Sequence, residues 1–572
     1  MTSSAAGSAG AQSYDAEQQV GEPAGAAAGG YSHKQILTIL MGLLLGMFLA
    51  ALDQTIVSTA IRRIGDDLNG LSAQAWVTTA FLITSTITTP LYGKLSDIYG
   101  RKPFFLLAIV IFILGSAMCG LATNMYMLAG FRAFQGLGAG GLFTLALAIM
   151  ADIVSPKERS RYMGYFMAVF ATSSVLGPVI GGFLSGQNAI LGITGWRWIF
   201  HVNVPIGLVA LVVVNRVLHL PHRRRSNVVI DWQGSLMLIV GLVPLLVVAE
   251  QGQGWGWSSA ASFSCYFLGV LGLVAFVWVE DRLGDNALIP LRLFRNRTFA
   301  VGAAQSLVIG IGMFGGIASI PLYLQIVKGA SPTRAGLLIL PLVGGLMIAS
   351  LTAGQLTSRT GRYRHYPIIG SIALVVAMLL LFRVGADTPL WRTDLYMALF
   401  GIGIGLNMQT IQLAMQNSVS PRDIGVATSS GTFFRQMGGT LGTAAFLSIL
   451  FSTVQSKVGS AISAAARTAP FQAALHDPRV LADPNDAAVV KSITAPAGSR
   501  STFDINNTSF IQQIDARLAH PFQVGFSNAM DSVFLVGACV LVLAVVLSLL
   551  QREVPLRQLS GLEAARAEEV AG

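Results

Sequence analysis

The feature that most constrains this chain is a succession of apolar runs, each near twenty residues long, divided by short charged loops. The runs fall near 36–57, 76–93, 104–122, 126–150, 163–185, 199–218, 230–250, 263–281, 299–326, 334–357, 366–384, 393–417, 425–453 and 530–552. A run of that length is what a helix needs to cross a bilayer, and in hydrocarbon a helix satisfies its own amides. About fourteen spans result. The chain is 53% hydrophobic and 11% charged, against about 25% charge in a soluble domain, so it reads as an all-α polytopic membrane protein.

Charge sets the orientation. With both termini inside, about twenty Lys/Arg fall in inner loops and about seven in short outer ones. Arg223-Arg224-Arg225 and the Arg292, Arg295, Arg297 group anchor the inner side. The net charge of +10 is thereby explained by membrane orientation, and nucleic acid is not expected as a partner. Cys119, Cys265 and Cys539 lie far apart inside apolar runs and suggest neither disulfide nor metal framework. There is no phosphate-cradling Walker motif, so ATP is not expected to act through this chain. Residues 1–33 are rich in Ala, Gly and Ser and read as a disordered cytoplasmic tail, and 553–572 as a second cytoplasmic tail.

Between the second and third spans lies Gly93-Lys94-Leu95-Ser96-Asp97-Ile98-Tyr99-Gly100-Arg101-Lys102, read as a loop whose glycines allow sharp turns. Asp97 is not needed for orientation; an acid here can face a helix N-terminus or an arginine and fix two helices in one arrangement. The segment resembles the signature of the major facilitator superfamily, with Ile98 where that family has a basic residue. A degenerate echo follows at Gly354-Gln355-Leu356, Arg359, Gly361 and Arg362, as a two-bundle transporter predicts. Leu52–Val57, the Arg132/Gln135/Gly136/Gly138/Gly140 set, Gly177–Gly182, Trp196–Phe200 with Asn203-Val204-Pro205, and Arg435-Gln436 are similar to motifs of that superfamily's fourteen-helix drug:proton antiporters. The resemblance implies two six-helix bundles, 34–220 and 286–552, with an inserted helix pair at 221–285. It also implies proton-coupled export of amphiphilic small molecules from a bacterial inner membrane, with the proton gradient as energy source and no cofactor. A polar outer loop at about 454–529 reads either as a passive cap or as a part in gating or partner contact.

The residues themselves single out Asp53. An ionised carboxylate facing lipid costs roughly 2.5–3.5 kcal/mol near the bilayer centre. Gly42, Gly46 and Asp53 share a helical stripe, a close-packing face that turns the acid into the bundle. Arg132 lies at similar depth, on the face of Gly136 and Gly140. The arginine keeps its charge whereas the carboxylate can take a proton, so the pair is a candidate proton carrier and sensor; a static salt bridge is the alternative. Gly177, Pro178, Gly181 and Gly182 suggest a flexible helix at the bundle interface, or plain close packing. Gln409, Gln412 and Gln416 share one face of the twelfth span, which suggests a wet cavity or interhelical glue; with Gln305 and Gln325 of the ninth span they are the candidate substrate cavity. A broad exporter, an exporter of one endogenous metabolite, and a non-transporting receptor or scaffold stay open. No nucleophile–base set, paired carboxylates or metal ligands point to an enzyme.

Overall fold

A computed structural model of the chain describes residues 32–68, 74–218, 231–494 and 509–557. The Arg223–Arg225 cluster, nearly all of the expected N-terminal tail and residues 558–572 of the C-terminal one lie outside the described residues. The first bundle comprises α1 (His33–Asp67), α2 (Gln74–Tyr99), α3 (Arg101–Cys119), α4 (Met125–Ile153), α5 (Pro156–Gly186) and α6 (Asn203–Val217). The helix pair expected as an insertion is α7 (Trp232–Trp255) and α8 (Ala260–Leu283). The second bundle follows as α9 (Arg297–Leu322), α10 (Leu340–Thr360), α11 (His365–Leu381), α12 (Leu390–Asn417), α13 (Ile424–Ala465) and α14 (Ala516–Leu550).

Among the described residues twelve helices are long and apolar enough to cross a membrane. Two more stand at predicted spans: α11 is short, and α2 is rich in hydroxyls that lower its hydropathy. Those hydroxyls are satisfied locally, since Thr84, Ser85, Thr88 and Thr89 donate to carbonyls three or four residues back. Polar caps set several helix starts: Asn124 before α4, Ser155 with Pro156 at α5, Asp231 at α7 and Asn296 at α9.

The two bundles meet along two seams, α2 against α13 and α5 against α10. The α7–α8 hairpin stands outside them but is attached to both, because α7 packs on α2 and on α13. Each bundle has its own apolar core, the first around Phe105, Phe112 and Phe166, the second around Phe299, Phe400 and Phe446.

Two expectations are corrected. Residues 93–99 are not loop: α2 continues through them, and Gly100, at φ 98°, is what separates α2 from α3. Lys94, Ser96 and Asp97 all find partners from the helix, so their polarity gives the chain no reason to leave it. The described residues of the polar segment at 454–529, read as an outer loop, are largely helical too. The α13 helix runs on to Ala465, three short helices follow (Ala469–His476, Pro478–Leu481, Pro484–Thr494), and α14 begins at Ala516. Phe471, Val480 and Val489 join the core of the second bundle, so this cap is packed onto it.

Candidate functional site

Asp53 is fully buried and held by donors from two other helices. From α4, Arg132 Nη1 lies 2.5 Å from Asp53 Oδ2 and Gln135 Nε2 donates to Oδ1 at 3.0 Å. From α6, Asn203 Nδ2 donates to Oδ1 at 2.8 Å and is itself 3.0 Å from Ser116 Oγ of α3. Arg132 also donates to Gln135 Oε1 at 2.7 Å and lies over the Phe81 ring, 4.0 Å from its centroid. The glycines make this approach possible: a Cβ at Gly46 would lie 3.0 Å from Phe105, and one at Gly136 or Gly140 would strike α2 backbone. The acid–base pair therefore sits in a buried, polar-lined knot where α1, α3, α4 and α6 converge. Sequence reasoning had Gln135 and Asn203 as motif residues and gave them no contact with Asp53.

Two residues on, Thr55 Oγ1 donates to Ser173 O of α5 at 3.0 Å. A Cβ at Gly177 would overlap Thr55, and one at Gly181 would lie 2.9 Å from Ile56 O, so the α1–α5 contact depends on both glycines. Pro178 stands inside an unbroken α5, close enough to the second bundle that a Cβ at Gly336 would lie 3.2 Å from it. Gly182 is half-buried on the same helix.

At the other end of the seams the 93–102 segment spans both bundles. Asp97 Oδ2 accepts from Val426 N–H, in the first turn of α13, at 3.1 Å, and its Oδ1 pairs with Arg101 at 2.5 Å. Arg101 is shared, with Nε 2.8 Å from Asp152 on α4 and Nη1 2.6 Å from Ser96 Oγ. Gly93 faces Ser429, and a Cβ on it would overlap that side chain. Lys94 donates to Asp285 O at 2.9 Å just past α8, and Lys102 to Asn215 O of α6 at 2.6 Å. Arg292 joins Asp285 at 2.5 Å to Asp423 at 3.0 Å, which ties the inserted pair to the start of α13.

The glutamines divide. Gln409, Gln412 and Gln416 line one cavity between the bundles, with Leu147 and Met150 of α4 and Arg159 of α5. Gln409 donates to Ser350, Gln412 to Thr428 O at 3.2 Å, and Gln416 to Thr428 Oγ1 at 2.7 Å while accepting from Arg159. Gln305 and Gln325 are not part of it. Gln305 is fully buried within the second bundle, with neither amide atom bonded among the described residues, and Gln325 sits in the π-turn that ends α9, its carbonyl accepting from Gln512 at 3.1 Å. Sequence reasoning grouped them with the others as amides within the ninth apolar run; in the fold that run does not present them to this cavity. Arg159 is a lining residue that sequence reasoning missed. A second missed grouping lies at the inserted pair, where Asp231 and Glu280 accept from the adjacent amides of Leu288 and Ile289.

With this geometry in hand, comparisons with known proteins are specific. The sequence profile of the Major Facilitator Superfamily matches residues 43–443. The multidrug transporter protein MdtP of Bacillus subtilis is 36% identical over 405 residues, covering 71% of this chain and 73% of that protein. Multidrug resistance protein 3 of the same organism is 36% identical over 430 residues, 74% and 81% of the two chains. An uncharacterized MFS-type transporter of Mycobacterium tuberculosis, Rv1877, is 35% identical over 519 residues, 91% and 70%. Among solved structures, a double-Trp mutant of XylE superposes with TM-score 0.57 at 16% identity over 94% of this chain and 100% of that one.

Proposed function

The chain belongs to the major facilitator superfamily, and from that premise we propose that it exports amphiphilic small molecules in exchange for protons, with Asp53 as the proton carrier. The observation that carries this reading is the buried Asp53–Arg132 pair, whose acid is also bound by Gln135 and Asn203. Protonation removes the anion from three donors, while Arg132 keeps its charge. A charge left unpaired in the interior costs about 3–5 kcal/mol, enough to favour another packing of the bundle. The change has a path outward: Thr55 bonds α5, and α5 forms a seam with the second bundle. Rocking about the α2–α13 and α5–α10 seams then exchanges the open side, and the Asp97–Val426 and Arg159–Gln416 contacts must part when the 93–102 face opens.

In this reading the 93–102 face is cytoplasmic, both termini are inside, and the membrane is the inner membrane of a bacterium. The similarity to multidrug proteins of Bacillus supports broad substrate choice. The test uses inverted vesicles carrying the protein or Asp53→Asn, with an imposed pH gradient. Several unrelated amphiphiles should dissipate the gradient with the native protein and none with the variant. A response from one compound class would narrow the function to a dedicated exporter. Equal responses from native protein and variant would remove Asp53 as carrier and leave its pair with Arg132 a static bridge.

A further inference from the structure

The turn that follows α8 joins the α7–α8 hairpin to both bundles. Its Leu288 and Ile289 side chains are buried in an apolar core with Ile87 of α2, Leu242 of α7, Phe276 of α8 and Phe433 of α13. Polar contacts leave the same turn in two directions. Asp285 O accepts from Lys94 of α2 at 2.9 Å. The Asp285 carboxylate lies 2.5 Å from Arg292, which in turn lies 3.0 Å from Asp423, just before α13. The turn is therefore a tie between α2 and α13 on the 93–102 face.

Two buried carboxyls hold this turn in shape. Asp231, the N-cap of α7, accepts from Gly234 N–H at 2.5 Å and from Leu288 N–H at 3.2 Å. Glu280, in the last turn of α8, accepts from the next amide, Ile289 N–H, at 3.0 Å. The side chains are 4% and 0% exposed, and the two carboxyls lie within hydrogen-bonding reach of each other. Among the described residues neither has a cation as partner. The charged groups around them are engaged elsewhere or turned outward. On α8, Asp281 and Arg282 are exposed, and the Arg282 guanidinium lies over the Trp278 ring, 3.6 Å from its centroid. On the turn, Asp285 and Arg292 pair with each other; Lys94 from α2 goes to Asp285 O, and Asp423 beside α13 to Arg292. Two carboxylates side by side over an apolar core repel, and both are acceptors only. One proton between them removes the second charge and supplies the missing donor.

We propose that Asp231 and Glu280 share one proton, and that this proton holds the 284–289 turn as a clamp between α2 and α13. The proton exchanges with water on the 93–102 face, which exposed Asp281 and Gly284 border. Its loss leaves two anions, which part and take the amides of Leu288 and Ile289 with them in different directions. A proton bound only in the closed turn stabilises that turn at low pH, and the contribution is lost as pH rises through the titration of the pair. Alkaline medium on this face therefore eases the tie. The consequence for opening rests on the rocking proposed above; the shared proton stands on the geometry of the turn.

Two measurements on the full chain in nanodiscs test this. Infrared difference spectra between the native protein and Glu280→Gln record the C=O stretch of a protonated carboxyl. The native protein should show that band at about pH 6, where an ordinary carboxyl of pKa about 4 is ionised, and lose it by about pH 10. Spin labels at Gln233→Cys on α7 and Tyr99→Cys on α2, both exposed, are placed in a background without the native cysteines. They should give a longer and broader distance at the higher pH than at the lower. Glu280→Gln should hold the shorter distance at both, because its amide donates to Asp231 without a proton to lose. If Glu280→Gln does not accumulate, Asp231→Asn serves in its place, since asparagine also caps a helix. No band at the lower pH, or a distance that ignores pH, overturns the proposal. So does a long distance in Glu280→Gln at the lower pH, which would mean that two ionised carboxylates hold the turn through a bound water or cation. Neither measurement needs a gradient. A pH-dependent hairpin with silent vesicles would defeat the exchange reading alone, and active vesicles with a fixed hairpin would defeat the clamp alone.

Discussion

At Asp53 the two carboxylate oxygens are held differently, Oδ2 by a guanidinium and Oδ1 by the amides of Gln135 and Asn203. Asn203 is the one donor that comes from α6, and it also fixes the Ser116 hydroxyl. Asn203→Leu should therefore cost about 1–3 kcal/mol of stability by leaving buried polar atoms short of a partner, read as a lower thermal midpoint in detergent. Asn203→Asp should fare worse, because it sets a second carboxylate beside the first. That Asp53 meets Arg132 was legible in the sequence, since charges inside apolar runs are rare and both lie on glycine-lined faces. The part of Asn203 was not legible: an uncharged amide near a span end carries no visible penalty, and 150 residues separate it from Asp53. Arg159 was hidden for a different reason. It stands among Lys157 and Arg161 in a basic stretch that membrane orientation already explains.

The helices themselves were largely legible from apolar run length, while their ends were not. Charge in a run was taken as a loop, yet a helix tolerates charge when each group has a partner, as Lys94 and Asp97 do. What ends α2 is backbone conformation at Gly100. The seam that follows is tight at Gly93, where any side chain would meet Ser429. Gly93→Val should hold α2 away from α13. Spin labels on Tyr99→Cys and Arg422→Cys, both exposed positions, should show a longer distance in the variant than in the parent. An unchanged distance would mean that the seam absorbs the extra volume elsewhere. The inserted pair belongs to the same junction. Its sequence shows two apolar runs and nothing of the Lys94–Asp285 and Arg292–Asp423 contacts that bind it to both bundles, because these join backbone and side chains far apart in the chain.

Across the whole molecule, the cap opposite the 93–102 face is bound to α14 by charge as well as by packing. Arg517 lies 3.0 Å from Asp477 and 2.9 Å from Asp515. Hydrogen bonds from Arg517 hold both carboxyls below the usual carboxylate range. Such groups stabilise the folded cap above the ordinary carboxylate pKa, about 4, and that contribution is lost as pH falls through their depressed values. Hydrogen exchange in 469–494, corrected for intrinsic rate, should be flat from neutral pH down to about 5 and accelerate below about 4. In Arg517→Ala it should be faster at neutral pH and lose this dependence. The polar composition of the cap hid its packing, because few apolar residues, Phe471 and Val480 among them, anchor many exposed ones. Between cap and seam runs α13, 42 residues in one helix. At 1.5 Å per residue it is a rod of about 63 Å, roughly twice the thickness of the hydrocarbon it crosses. A rod of that length is a lever: a tilt of about 10° about its middle carries each end by roughly 5 Å. Its first turn bears on Asp97 and its last leads into the cap, so under the proposed rocking the position of the cap would report whether the 93–102 face is shut, and a binder that clamps the cap would act as a brake on its opening.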